Sequence, residues 1–267
     1  MKDMGIRPIA DPECVRRGVE KILYTLDKLD GANTATFFTT GQVARNQSNL
    51  VNRLAQEGHE IACHTNDHEN CFDLTLSEFE DNIKKAVYSL EESAQQKIVG
   101  FRAPDFSVNE RCPWTYEVLA ANGFLYDSST LKGGQRNQET EYDSLIVTGQ
   151  EFFKFPLYSF NIIWNINIRI IGGSYFRLLP SFVILKLMRK AVENGYTPIV
   201  YLHPSDIDDK FSPILMSQMT GLGLGLRLKW GIHQKLWSTG TESSTKKLEI
   251  ILQEFPNKGP LVWALPR

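Results

Sequence analysis

Two histidines stand four residues apart in the segment His64-Thr65-Asn66-Asp67-His68, directly after a short apolar run. Four residues are just over one helical turn, so the two imidazoles can face the same point if the chain coils there. Neutral imidazole is the commonest nitrogen ligand of zinc and similar divalent ions. The pair therefore predicts a metal site, although two histidines at this spacing also arise by chance.

Arg102 and His203 stand at comparable places, each directly after an apolar run of strand length. In parallel α/β folds the carboxyl ends of the strands converge on one face, and that face builds the site. We therefore expect the histidine pair, Arg102 and His203 to contribute to one site. Taken singly, Arg102 is typical of a surface or ion-pair residue, and His203 of a hydrogen-bonded residue at the edge of a core.

The elements that must position these residues follow from the pattern of apolar runs. Runs of strand length alternate with longer amphipathic runs, which predicts βα units and a mostly parallel sheet. Residues 131–149 are polar and predict a loop, and residues 209–243, with their Gly-Leu repeat, predict a flexible insertion. The predicted strands are 34–39, 60–63, 97–101, 151–156 and 198–202, and the predicted helices are 15–29, 41–57, 75–92, 113–122, 181–194 and 246–254.

Composition excludes some classes of protein. Hydrophobic residues make up 42% of the 267 residues and charged residues 22%, the profile of a globular protein with a sizeable core. The formal charge of −2 gives no electrostatic reason to expect a nucleic-acid partner. No stretch approaches about 18 uninterrupted apolar residues, so no membrane span is expected. With no secretory signal in the sequence as written, we expect a cytoplasmic protein, or one of the cell envelope if an export segment has been lost.

Several segments form an ordered set of motifs that resembles a known family. In order and spacing they are similar to those of polysaccharide deacetylases with the NodB homology domain (carbohydrate esterase family 4), from about residue 15 to 208. Tyr126-Asp127-Ser128-Ser129 and residues 172–180 further resemble the subgroup associated with bacterial exopolysaccharide export loci. The family motifs are Ala35-Thr36-Phe37-Phe38-Thr39-Thr40-Gly41, residues 58–68, Gly100-Phe101-Arg102-Ala103-Pro104 and Tyr201-Leu202-His203-Pro204.

The resemblance implies an α/β fold, a distorted (β/α) barrel, and hydrolysis of N-acetyl groups on amino sugars of a bacterial polysaccharide. It implies that His64 and His68 are ligands of a divalent metal, with Zn²⁺ as the first choice and Co²⁺, Ni²⁺ and Mn²⁺ as alternatives. The chain is then expected to be one deacetylase-like domain over 1–267. Its motifs occupy about 15–208, the insertion 209–243, and a C-terminal helix and strand 244–267.

Other roles also follow from the resemblance. Arg102 corresponds to the arginine that orients a catalytic aspartate, and His203 to the general acid that protonates the leaving amine. Asp105 and Tyr201 are expected to contact the substrate or the oxyanion. A carboxylate at position 105 suits a developing anion only if it points away. Asp206 or Asp208 could tune His203.

One family feature is missing from the sequence. The family opens with a strand that bears two acidic residues, the catalytic base and a third metal ligand, whereas Asp3 and Asp11 lie in the wrong context for that strand. We therefore expect the base upstream of Met1 and a barrel that lacks its first strand. The leading hypothesis is a metal-dependent polysaccharide N-deacetylase. The alternative is a catalytically impaired relative that binds carbohydrate, and a zinc peptidase is disfavoured because His-Glu-x-x-His is absent.

Overall fold

The computed structural model describes residues 12–134, 142–161, 167–168, 172–210, 215, 217, 219 and 221–266. They form two compact units. We call Thr34–Arg169 with Ala191–Pro198 and Lys258–Arg267 the sheet unit, and Met1–Asn33 with Ile170–Lys190 and Ile199–Asn257 the helical unit.

The sheet unit is built on one six-stranded sheet, which confirms the predicted α/β class. The strands are β1 Thr36–Thr39, β2 Glu60–Cys63, β3 Gly100–Phe101, β4 Tyr126–Asp127, β5 Leu131–Lys132, β6 Asp143–Val147, β7 Gln150–Lys154, β8 Leu157–Tyr158, β9 Phe160–Asn161 and β10 Asn167–Ile168. The sheet has the order β1-β2-β3-β4-β7-β6, and only the β6–β7 pair is antiparallel. The carboxyl ends of β1 to β4 therefore share one edge, where ligands bind in such sheets.

Ten α-helices are described. They are α1 Pro12–Lys28, α2 Gly41–Asn46, α3 Ser48–Gln56, α4 Leu76–Ala94, α5 Thr115–Ala121, α6 Gly173–Leu178, α7 Ser181–Glu193, α8 Pro204–Ile207, α9 Leu224–Ser238 and α10 Ser244–Glu254. Helices α2 to α5 belong to the sheet unit, and α1, α6, α8, α9 and α10 to the helical unit.

Helix α4 shows why the sheet unit folds as it does. It begins with a capping box in which Thr75 and Glu78 satisfy each other's backbone N–H groups. Phe79, Ile83 and Leu90 then recur at helical spacing and are fully buried. This apolar face packs against β2 and against helices α2 and α3, so one long helix supports the strand from which the histidine pair emerges.

In the helical unit, α1 packs against α8 through a close backbone approach. A Cβ on Gly18 would lie 2.4 Å from the carbonyl oxygen of Pro204, so only glycine allows this contact. The adjacent residue Arg17 donates two hydrogen bonds to Asp208, at 3.0 and 2.7 Å. Both ends of the short helix that follows His203 are thereby fixed to α1.

The predicted polar loop over residues 131–149 is wrong. This segment contains β5 and β6, and β6 pairs with β7 so that Leu145 lies opposite Phe152. The hairpin turns at Thr148-Gly149, where both residues have positive φ (49° and 83°), as a two-residue hairpin turn requires. Strand β6 is short, and its buried and exposed residues do not alternate regularly, so its sequence lacks the alternation that would predict a strand.

Three other segments also differ from the sequence prediction. Residues 198–202 are not a strand, because only Tyr201 pairs there, through a single bridge to Gly172, and Pro198 lacks an N–H group for a ladder. The apolar tail forms a 3₁₀ helix, Leu261–Ala264, where a strand was expected. Residues 224–238, inside the predicted insertion, form α9.

Candidate active site

The loop that carries the histidine pair is held by the first turn of α2. The backbone N–H groups of Gly41 and Gln42 donate to the carbonyl oxygens of Thr65 and Asn66, at 3.1 and 2.8 Å. These N–H groups have no partner within their own helix, as is general at helix N-termini. The loop after β2 and the helix after β1 thus complete each other's hydrogen bonding.

Asn66, the middle residue of the loop, is clamped by side chains. Its N–H donates to Asn82 Oδ1 at 2.8 Å, and its Oδ1 accepts from Arg45 at 2.8 Å. Its amide group donates to Asp67 Oδ2 at 2.9 Å. Asn66 is buried, and polar groups that are buried and fully bonded fix a single geometry.

Backbone strain is concentrated in the loops that carry predicted site residues. Of the six non-glycine residues described with left-handed φ, four are Thr65, His68, Asp105 and Phe106. The value at Thr65 is 62°, an outlier for a β-branched residue. Thr65 Oγ1 is also buried with no hydrogen-bond partner among the described residues. Such strain costs about 1–3 kcal/mol per residue and clusters at functional sites.

The two imidazoles of the pair lie against each other. Their ring centroids are 5.0 Å apart and their planes meet at 75°. His64 Nδ1 is 2.6 Å from the carbonyl oxygen of Arg102. A bond of Nδ1–H to a carbonyl sets the tautomer in which Nε2 can coordinate a metal, and metal-binding histidines usually have such a partner.

The surroundings of the pair provide no further ligand among the residues that the structure describes. No group of three His, Cys, Asp or Glu side chains is placed there to hold a metal ion. Cys63 adjoins the pair, but burial raises the pKa of its thiol to about 12, which disfavours the thiolate that binds metals. Asp3 and Asp11 lie outside the described residues.

Arg102 is buried and linked to the end of β4. Its Nε donates to the carbonyl oxygen of Ser128 at 3.0 Å and its Nη2 to Ser128 Oγ at 2.7 Å. Its guanidinium lies 4.2 Å from the centre of the Phe38 ring, and the Ala103 N–H donates to Ser129 Oγ at 2.7 Å. The two serines position the arginine loop. They were not among the predicted site residues, although their segment was singled out as a subgroup motif.

Asp105 lies in the next turn and is exposed, with φ of 50°. Its neighbour Phe106 lines a cavity of about 420 Å³ in the sheet unit. Lys154 also lines the cavity, and its ammonium lies 5.4 Å from the centre of the Tyr116 ring. The other lining residues are Val108, Asn109, Cys112, Pro113, Ser129, Thr130 and Leu131.

Asp127, at the end of β4, is a buried carboxyl group beside this cavity that the sequence did not reveal as a site residue. Burial raises the pKa of this carboxyl group to about 6. The hydrogen bonds from Ser129 and the positive charges of Arg102 and Lys154 lower the pKa, but by less than burial raises it. One carboxyl oxygen accepts a hydrogen bond from Ser129 Oγ, and the other has no partner among the described residues. The group therefore changes charge near neutral pH.

His203 belongs to the helical unit, at the N-terminus of α8. Its Nδ1 and its backbone N–H both bond to Asp206 Oδ2, at 2.9 and 2.8 Å. Asp206 Oδ1 accepts from Arg177 Nε at 2.8 Å. The imidazole is 58% exposed, whereas the side chains of Asp206 and Arg177 are 5% and 2% exposed. A buried ion pair thus holds an accessible imidazole by its Nδ1.

The structure decides between the two carboxylates that could tune His203. Asp206 contacts the imidazole, whereas Asp208 pairs with Arg17. Burial opposes ionisation of Asp206, but the hydrogen bonds from His203 and the charge of Arg177 outweigh it and keep the pKa of the carboxyl below its usual value.

Tyr201 lies near His203 in the same unit, with ring centroids 6.3 Å apart. Its ring packs on Gly172, where a Cβ would lie 2.2 Å from a ring carbon, so this position requires glycine. The structure therefore places His64, His68 and Arg102 together in the sheet unit. It places Tyr201 and His203 together in the helical unit.

Comparisons with known sequences identify two matching regions. A family model described as "Polysaccharide deacetylase" matches residues 11–124, and one described as "Domain of unknown function (DUF3473)" matches residues 129–256. A peptidoglycan deacetylase-like protein of Gibberella zeae is 32% identical over 43% of this chain and 33% of its own length. A chitooligosaccharide deacetylase of Bradyrhizobium is 30% identical over 33% of this chain and 38% of its own length. The chain spans a third or less of the length of the first relatives it matches.

Solved structures show the same fold. A Mycobacterium smegmatis protein assigned to the polysaccharide deacetylases aligns with a TM-score of 0.55 at 21% identity, over 95% of this chain and 82% of that one. A pseudoenzyme of carbohydrate esterase family 4 from Bacillus anthracis aligns with a TM-score of 0.52 at 14% identity, over 94% and 62%. The predicted deacetylase-type α/β fold is thereby confirmed. Residues 11–124 therefore match the polysaccharide deacetylase family in sequence, and the described chain shares the fold of its solved members.

Proposed function

We propose that the protein is a divalent-metal-dependent hydrolase that removes acetyl groups from N-acetylated amino sugars of a bacterial polysaccharide, of the exopolysaccharide kind. The observation that carries the proposal is the histidine pair, in which His64 is held by Nδ1 on the Arg102 carbonyl beside the ring of His68. The similarity to a peptidoglycan deacetylase-like protein and to a chitooligosaccharide deacetylase supports the class of substrate.

His64 and His68 would hold the metal. Two neutral imidazoles suit zinc, and Co²⁺, Ni²⁺ and Mn²⁺ are the alternatives. When bound, the ion supplies a Lewis acid for the amide carbonyl and lowers the pKa of a water molecule. Catalytic zinc sites usually take a third protein ligand, and none of the usual kinds lies with the pair among the described residues.

The remaining roles rest on how each side chain is held. Arg102, fixed by Ser128, orients the catalytic carboxylate. His203 donates a proton from Nε2 to the leaving amine, because Asp206 holds its Nδ1 and so fixes the tautomer. Asp105 offers a backbone N–H to the oxyanion, and its exposed side chain avoids the repulsion that a buried carboxylate would cause.

The cavity beside Asp127 is a candidate subsite for a sugar ring. Its volume of about 420 Å³ lies in the usual range of small-molecule sites. The aromatic faces of Phe106 and Tyr116 suit the apolar faces of a sugar, and Ser129 and Thr130 offer hydroxyl groups. Tyr201 is a second candidate contact with the substrate.

A second candidate function is carbohydrate binding without turnover. It is favoured by one observation, that the histidine pair has no third ligand of the usual kinds within the described residues. In that case the cavity and loops would bind the glycan, and the two imidazoles alone would bind zinc weakly.

Acetate release distinguishes the two functions. The substrates are N-acetylated chitooligosaccharides and peptidoglycan fragments, each assayed with and without added zinc. We expect zinc-dependent acetate release that His64→Ala abolishes and that Lys85→Ala, an exposed change on α4, leaves intact. Glycan binding without acetate release would support the second function. If the protein neither binds the glycans nor releases acetate, both functions are refuted.

A further inference from the structure

Helix α9 of the helical unit leaves a stripe of apolar side chains uncovered. Leu224, Leu228 and Ile232 are spaced by four residues, so they lie along one side of the helix. Their exposed fractions are 70%, 51% and 61%, and that of Leu226 is 49%. Surface helices normally turn such a stripe towards the core. Contiguous apolar surface of this kind marks a binding face.

The helix is attached to its own unit by a different side. It packs against α8, and Gln234, which lies off the stripe, is only 2% exposed. At its start Arg227 Nε donates to the carbonyl oxygen of Leu222 at 2.6 Å. Directly after its end, the carbonyl oxygen of Thr239 accepts from Arg177 at 3.0 Å. The stripe therefore lies on a different side of the helix from the buried Gln234, and Arg177 holds the end of the helix.

The charge of the segment indicates what the stripe contacts. Residues 210–241 contain four Lys and Arg residues and no Asp or Glu, in a chain that has 31 acidic and 29 basic residues in all. Two of these cations, Lys229 and Lys235, are exposed on α9. Leucines flanked by cations are typical of helices that lie in the plane of an anionic membrane surface.

Other partners fit the same face less well. A second copy of this chain would bring an equally positive helix against it, and like charges repel. A nucleic acid is recognised by cationic and polar side chains, and the leucine stripe would remain unmatched. An anionic lipid surface matches both the apolar stripe and the charge.

We propose that α9 docks the protein on an anionic membrane surface, with the apolar stripe at the headgroup boundary and Lys229 and Lys235 on lipid phosphates. No helix among the described residues is long and apolar enough to cross a bilayer, and a helix lying in the interface needs no such length. The proposal does not depend on the deacetylase activity.

Co-sedimentation with lipid vesicles tests the proposal on the full chain. The vesicles are phosphatidylcholine alone and phosphatidylcholine with about 30% phosphatidylglycerol. We expect binding to the anionic vesicles and at least about tenfold weaker binding to the neutral ones. Leu224→Gln, Leu228→Gln and Ile232→Gln together should weaken binding about 100-fold. Lys229→Gln with Lys235→Gln should weaken it about 30-fold, since each cation contributes about fivefold.

Matched controls carry the same chemical changes elsewhere. Ile146→Gln removes a side chain that is 72% exposed on β6, and Lys84→Gln with Lys85→Gln removes two exposed cations on α4. Both should bind as the unchanged protein does, and circular dichroism should show the same helix content in all variants. The proposal is overturned by equal binding to neutral and anionic vesicles, or by variants of α9 that bind normally. It is also overturned if the protein ignores vesicles and the apolar triple variant instead turns a dimer into a monomer.

Discussion

The two groups of candidate residues are held in opposite ways. The histidine pair of the sheet unit is fixed by backbone hydrogen bonds and by side-chain bonds to Asn66, in a loop with left-handed residues at Thr65 and His68. His203 of the helical unit is fixed by a buried ion pair between Asp206 and Arg177, on a backbone without such strain. The first group is positioned mainly by hydrogen bonds to the loop backbone, and the second by a buried ion pair.

The difference fits the chemistry proposed for each group. Ligands of a metal ion must keep one geometry, and hydrogen bonds to the backbone of their loop fix it. A histidine that donates a proton must reach its substrate and keep one tautomer, which a carboxylate on Nδ1 ensures. Substitutions should therefore affect the two groups through different physical causes.

The largest expected effect lies in the ion pair of the helical unit. Arg177→Leu leaves Asp206 charged and buried without its partner, which should lower the free energy of unfolding by about 3–5 kcal/mol. Arg189→Leu is the matched control, since it breaks an exposed pair with Glu254 in the same unit and should change the free energy of unfolding far less. Urea denaturation followed by circular dichroism measures both, and equal losses would show that charge does not hold this group.

The next effect is a dependence on pH in the sheet unit. The pKa of Asp127 is raised to about 6 from 3.8, so the folded protein holds this proton more tightly than the unfolded chain does. Its contribution to stability is complete below about pH 4 and is lost by about pH 6, a change of about 3 kcal/mol. Asp127→Asn removes the titration, so it should stabilise the protein at pH 7.5 and not at pH 4. Melting temperatures across this range measure the effect, and a constant difference between the two proteins would contradict it.

A smaller effect is expected at the clamp of the histidine loop. Asn82→Ala leaves the buried N–H of Asn66 without its acceptor, which should cost about 1–3 kcal/mol. It should also weaken zinc binding about tenfold, because the loop loosens. Asn52→Ala, which removes a part-buried hydrogen bond to the Ser93 carbonyl, should leave zinc binding unchanged. Isothermal titration distinguishes the variants, and equal zinc affinities would mean that the clamp does not position the pair.

The smallest effect on stability is expected from relief of strain. Thr65→Gly removes a left-handed β-branched residue and an unsatisfied hydroxyl, which favours the folded state. Glycine also raises the conformational entropy of the unfolded chain, so the free energy of unfolding should change by less than about 1 kcal/mol. Zinc affinity should nevertheless fall. Thr148→Gly makes the same change at the left-handed turn of the β6–β7 hairpin and should not alter zinc binding. If both variants bind zinc alike, the strain at Thr65 has no role in the site.

The sequence predicts some of these features better than others. Local sequence patterns suffice to predict the histidine spacing, the capping box of α4 and the position of Arg102. The choice of Asp206 over Asp208 as the partner of His203 depends on Arg177 and Arg17, which approach from distant segments. The raised pKa of Asp127 depends on complete burial, and the sequence of a two-residue strand does not indicate that burial.

Zinc titration of three proteins tests the central claim that His64 and His68 hold a divalent metal. The unchanged chain, His64→Ala and His203→Ala are titrated under the same conditions. We predict one zinc site whose dissociation constant rises at least about 100-fold in His64→Ala and stays the same in His203→Ala. Zinc binding that persists in His64→Ala, or that falls equally in both variants, would contradict the account.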